Sequence, residues 1–349
     1  VYGITGIRSE AERLAATGVT ERSWALGLGR SEPIAAWLSC DPVDDDGVSV
    51  MVGFSGPGEP STVGVYIDHN LGGIAKDAFV VPAAIDAVLA MLQEADESDR
   101  ELQYREIPLS EAAARWRAAI TMTDMYLDPP TSEDLDDLRA LVFARLAKLP
   151  SDGEAPGQVG LDEEERERLI HEFLESDETV GLQGSDGDQD RQHALDHLAY
   201  QIATFSLDYV LGTALRFSPV MVEVFCLDWA PRKIALDNDE FTLLPDVLAA
   251  WIRFTGHRRG IPDDAISSAV DAAYEYASEM IELSKDPRNW GPGKTMALGI
   301  ARQGIDPTDQ AALDEFVAQV NRDGGIDALA DDLAGLRATG QPRLRVVDV

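Results

Sequence analysis

Only two cysteines occur in 349 residues, Cys40 and Cys226, far apart and in apolar surroundings. That excludes a disulfide framework and fits buried free thiols in a reducing compartment, the cytoplasm. Lysine is nearly as scarce. Of the 29 basic residues five are Lys (Lys76, Lys148, Lys233, Lys285 and Lys294), against 63 acids and a net charge of −34. A chain so acidic is repelled by nucleic-acid phosphates and anionic lipid, which argues against nucleic acid or a membrane as partner. No apolar run approaches the roughly 20 residues of a membrane helix; the stretch 78–90 is interrupted by Pro82 and Asp86. No basic segment followed by an apolar one opens the chain, which begins at Val1 instead of Met and so suggests a trimmed start. No internal repeat stands out. No catalytic signature is intact, and no G-x-S-x-G elbow is present. Trp290-Gly-Pro-Gly-Lys-Thr295 fails as a phosphate loop, because position 288 is Arg where glycine is required and a helix is expected before it. No cofactor is predicted on these grounds.

What is present is enough apolar residue, 45%, to build a large core. The pattern predicts an α+β, predominantly helical chain: a small antiparallel β-hairpin or sheet in the N-terminal part and an all-α C-terminal part. An α+β domain is expected over 1–150 and a helical domain over 160–337. Polar, Gly-containing segments at 151–160 (SDGEAPGQVG) and 181–190 (GLQGSDGDQD) read as flexible linkers. Residues 47–54 (GVSVMVGF) and 62–67 (TVGVYI) flank turn chemistry and read as a β-hairpin. Helices are expected at 9–17, 33–38, 82–97, 110–121 and 132–148, the last capped by Ser132 with acids in its first turn. Further helices are expected at 162–176, 191–211, 219–229, 244–255, 263–284, 292–303, 309–321 and 325–336.

Four constellations are candidates for chemistry. His193 and His197 are four residues apart, about 40° from each other around a helix and opposite its apolar stripe. They could grip a divalent metal ion, with His171 or an acid as a third ligand; the competing reading is a solvated polar face. Asp68 and His69 follow a strand and precede paired glycines, with Lys76 beyond. Asp68 orienting His69 for acid–base work, with Lys76 steadying a developing negative charge, is one reading. A turn closed by an Asx-type cap is the other. The segment 228–233 (DWAPRK) and the triplet His257-Arg258-Arg259 read either as small basic spots, the first, with its aromatic residue, able to hold the C-terminal half against an acidic neighbour, or as helix C-caps. Lastly, the acidic charge itself reads as proteome background of a high-GC or salt-adapted source, or as a surface for a basic protein partner.

Three stretches, 66–80 (YIDHNLGGIAKDAFV), 218–233 (SPVMVEVFCLDWAPRK) and 288–321 (RNWGPGKTMALGIARQGIDPTDQAALDEFVAQVN), resemble a family of actinobacterial proteins of uncharacterised function. The last is similar to a C-terminal helical module. The resemblance implies a high-GC actinobacterial source and carries no activity. Two functions follow as expectations. One is a non-enzymatic cytoplasmic interaction or regulatory protein with a basic partner. The other is a metal-dependent, hydrolase-like enzyme using the His193–His197 helix site or the Asp68–His69 loop.

Overall fold

Alternating small and β-branched residues build the first half of the chain. In the computed structural model, which describes residues 28–56, 58–95, 102–155, 161–184, 188–212, 215–236 and 238–335, strands β1 (Glu32–Cys40), β2 (Gly47–Ser55), β3 (Ser61–Asp68) and β4 (Ile74–Val81) are followed by helix α1 (Ile85–Ala95) and strand β5 (Gln103–Ile107). Helices α2 (Leu109–Met125) and α3 (Glu133–Leu146) complete this part. The strands form one antiparallel sheet in the order β4-β3-β2-β1-β5. Val50, Val52, Val63 and Val65 face α2 and α3, where Trp116 donates its indole N–H to the carbonyl of Val50 at 3.0 Å. Met51 faces the opposite side and packs with Ile85, Val88 and Leu89 of α1. Gly64 is required there, since a Cβ would lie 2.1 Å from the Phe79 ring.

The expected hairpin is present as β2 and β3. Residues 33–38, expected as a helix, are instead strand β1 in the interior of the sheet. Ala36 and Leu38 are buried toward α2 while Ala35 and Trp37 pack toward α1, so both faces are covered and the alternation that marks a one-sided strand is lost. Ser132 caps α3 as expected, accepting from the amide of Leu135 and donating to Asp77. The helix expected at 9–17 and the tail from 337 lie outside the described residues.

The second half is helical. It contains α4 (Glu163–Leu174), closed at its start by a capping box between Asp162 and Glu165, then α5 (Gln189–Thr204) and α6 (Pro219–Val224). The short α7 (Ala230–Lys233), the long α8 (Asn238–Arg259), α9 (Asp263–Glu275) and α10 (Ala277–Lys285) follow, and α11 (Pro292–Gln303), α12 (Gln310–Arg322) and α13 (Gly325–Leu333) end it. The single helix expected over 263–284 is two, joined at Tyr276; the apolar stripe runs on through the break and conceals it in the sequence. The core gathers Phe173, Leu195, Leu198, Ile202, Phe225 and Trp251. No described helix is long and apolar enough to cross a membrane.

A repeat that the sequence pattern concealed appears here. Phe205-Ser-Leu-Asp-Tyr209 and Phe225-Cys-Leu-Asp-Trp229 each continue an α-helix as a π-turn. Equivalent rings meet: Phe205 and Phe225 at 5.1 Å, Tyr209 and Trp229 at 5.3 Å. Each Asp takes an arginine, Asp208 from Arg166 of α4 and Asp228 from Arg232 of α7.

The chain divides into two units, Val1–Gln158 and Val159–Val349. The division falls within the expected linker 151–160, but the start of that segment is packed: at Gly153 a Cβ would lie 2.0 Å from the carbonyl oxygen of Ser110. In the other expected linker, 181–190, Gln183 donates to the carbonyl of Leu174, and α5 already begins at Gln189.

Candidate functional site

The residues of the expected acid–base loop are brought together, but they face inward. Asp68 accepts the amides of Asn70 at 2.9 Å and Leu71 at 3.1 Å, and its second oxygen takes the Lys76 ammonium at 2.7 Å. Gly72 and Gly73 supply the positive φ that closes the turn. His69 is not oriented by Asp68. Its amide donates to the carbonyl of Asp46 at 2.8 Å, and its Nδ1 sits 2.9 Å from the Asp45 carbonyl and 3.1 Å from the Asp45 carboxylate. Asn70 donates to Asp46 at 2.8 Å. Asp68, His69 and Asn70 are all buried. The arrangement clamps the β3–β4 loop to the β1–β2 loop at one end of the sheet, and Lys76 is held by Asp68 instead of waiting for a developing charge.

The two histidines of α5 part company. His193 is exposed, while His197 is half-buried with Nδ1 2.7 Å from Glu240, and Gln201 lies 3.2 Å from its Nε2. Both ring nitrogens of His197 are therefore engaged. Among the described residues no group of three or more His, Cys, Asp or Glu is placed to hold a metal ion. His171, the suggested third ligand, lies on α4 beside Glu175.

The other candidates are structural fittings. Lys294, in the first turn of α11, is buried and donates to the carbonyls of Pro231 at 2.7 Å and Ser284 at 3.1 Å. Burial pushes its pKa down to about 7. In the segment 228–233 it is the backbone that meets the C-terminal helices: the Pro231 carbonyl accepts from Lys294 and the Arg232 carbonyl from the amide of Gly291. His257 and Arg258, in the last turn of α8, pair with Glu178 and Glu172. Both cysteines are free; Cys226 is buried, which pushes its thiol up to about 12 and leaves it inert.

What sequence reasoning missed is a groove of about 550 Å³ between α4 and α5. Glu163, Glu167, His171 and Glu175 follow one another at intervals of four along α4, and Gln192, Asp196 and Tyr200 do so along α5, so each set lies on one helix face. The two rows face each other across the groove, with Ile170 and Leu174 as its apolar part. It is thus lined by four carboxylates and no Lys or Arg. The spacing was the available signal, but each row alone is what any solvated helix face shows.

Set beside known proteins, the chain matches no family model, no curated protein and no solved structure.

Proposed function

We propose that this protein is a non-enzymatic interaction module that takes a basic segment of a partner protein into the groove between α4 and α5. The observation that carries the reading is the lining of that groove: Glu163, Glu167, Glu175 and Asp196 beside Ile170, Leu174 and Tyr200. Exposed ion pairs contribute at most about 1 kcal/mol each, so the carboxylates speed and orient encounter while the apolar residues hold the partner. A chain carrying −34 adds long-range attraction for a basic protein and disfavours nucleic acid. Free thiols and an Arg-over-Lys composition accord with the cytoplasm of a high-GC actinobacterium. The metal-dependent hydrolase reading has less support, because His197 already spends both ring nitrogens on Glu240 and Gln201.

The test is fluorescence anisotropy with a labelled amphipathic peptide of Lys and Leu, against a scrambled peptide of the same composition, in low and high salt. Saturable binding of the amphipathic peptide that weakens with salt, and is lost in the Glu167→Lys/Asp196→Lys double variant, is the expected result. Equal binding by the double variant would remove the groove from the reading.

A further inference from the structure

Arg145, in the last turn of α3, is only 1% exposed, and no described carboxylate pairs with it in a chain of 63 acids. Its guanidinium lies over the Phe54 ring, 4.3 Å from the centroid, and Nη2 donates to Ser61 Oγ at 3.1 Å. Nε and Nη1 are buried and meet no acceptor. Phe54 and Ser61 are paired across the β2–β3 hairpin at its last rung, so the guanidinium sits beneath the hairpin turn. One turn further along the chain, the Lys148 ammonium reaches the carbonyl of Gly29 at 2.8 Å. Two residues on, Ser31 lies against Gly56 of the same turn.

The other deeply buried arginines differ. Arg166 has the carboxylate of Asp208, and Arg216 donates to the carbonyl of Leu211. Arginine keeps its charge in a protein interior even when burial lowers its pKa, as it does at Arg145. A buried, charged fork with spare donors is completed best by an oxyanion, which can accept a parallel pair of N–H bonds from Nη1 and the second hydrogen of Nη2. Ser61, which accepts from Nη2, still has its own hydroxyl hydrogen to donate.

We infer that the corner formed by Arg145, Ser61 and Phe54 is a binding site for a small oxyanion, a phosphate or a carboxylate group. The corner lies at the hairpin end of the sheet, next to exposed Gly58, Glu59 and Pro60. The site is separate from the acidic groove, and neither depends on the other.

The experiment is thermal unfolding of the full chain in increasing sodium phosphate, sodium acetate or sodium chloride at matched ionic strength. A ligand that binds only the folded state raises the melting temperature in a saturable way, whereas a general salt effect does not saturate. The wild type is expected to respond to phosphate, to acetate, or to both, over chloride; the responding salt identifies the group. Arg145→Met is expected to fold, because it replaces an unpaired buried charge by an apolar chain of similar length, and to lose the response. Ser61→Ala, which leaves the guanidinium in place, is expected to weaken the half-saturating concentration several-fold. No response beyond chloride in the wild type, or an undiminished response in both variants, would overturn the assignment.

Discussion

The ammonium of Lys294 lies 2.7 Å from the carbonyl oxygen of Pro231, and one side chain thereby ties the first turn of α11 to α7. The carbonyl of Ser284 in the last turn of α10 accepts from the same nitrogen and from the Trp290 indole. Two acceptors match the two hydrogens of a neutral amine, so deprotonation leaves both bonds intact. The ordinary pKa of 10.5 applies to the unfolded chain and about 7 to the folded one. Between those values the unfolded state binds more protons, so stability must rise with pH from about 7 to 10.5 and flatten above it. Urea unfolding at pH 7 and pH 9.5 should show this rise in the wild type, on the order of a few kcal/mol. In Lys294→Met the rise should shrink.

The clamp at the sheet end yields a rank order. Asp68 caps two amides and is buried, whereas Lys76, its ionic partner, is 43% exposed. Asp68→Ala leaves two loop amides without their acceptor and should cost about 2–3 kcal/mol. Lys76→Ala removes only a half-exposed ion pair and should cost at most about 1 kcal/mol. His69→Ala frees the Asp45 loop and should fall between them. If Lys76→Ala proved the most damaging by chemical denaturation, the clamp would not be what holds these loops.

How much of this was legible depended on whether the informative partner was near in sequence. The β2–β3 hairpin was readable because its alternation and its turn are contiguous. Strand β1 was not, because α1 and α2 cover its two faces and leave it looking uniformly apolar. Asp68 and His69 are adjacent in the sequence and share one loop, yet the partner of the His69 ring is Asp45, 24 residues earlier on another loop. The groove was invisible for the same reason: its two rows belong to helices joined by a long connection. The Phe-x-Leu-Asp-aromatic repeat lay in plain letters, but periodicity at the α-helical spacing does not distinguish a π-turn.

Packing over the glycine of β3 gives a sharper prediction. A Cβ at residue 64 would lie 2.1 Å from the tip of the Phe79 ring and 2.4 Å from its edge, so Gly64→Ala must displace the ring. Overpacking of this kind costs about 1–3 kcal/mol. Pairing the change with Phe79→Leu should recover part of the loss, and a double-mutant cycle by urea unfolding measures the coupling. Additive costs would show that the two residues do not meet.

The two π-turns place aspartates at matching positions in unequal surroundings. Asp208 holds both terminal nitrogens of Arg166, whose side chain is 10% exposed and whose pKa is raised chiefly by that hydrogen bond. Asp228 pairs with Arg232 one turn away, and its own side chain is 58% exposed. Removing Asp208 strands a mostly buried guanidinium, whose Nε has no acceptor to begin with. Removing Asp228 frees an arginine that is less buried, 22% exposed against 10% for Arg166, and trims an i,i+4 pair whose acid faces solvent. Asp208→Ala should therefore cost about 1–3 kcal/mol, discounted from the cost of a fully buried pair because Asp208 itself is 42% exposed. Asp228→Ala should cost less, at most about 1 kcal/mol. Raising salt should shrink the second cost more than the first, since a buried pair is screened less. Equal costs at low salt would mean that the repeat is symmetric in energy as well as in letters, and that Arg166 finds another acceptor when Asp208 is gone.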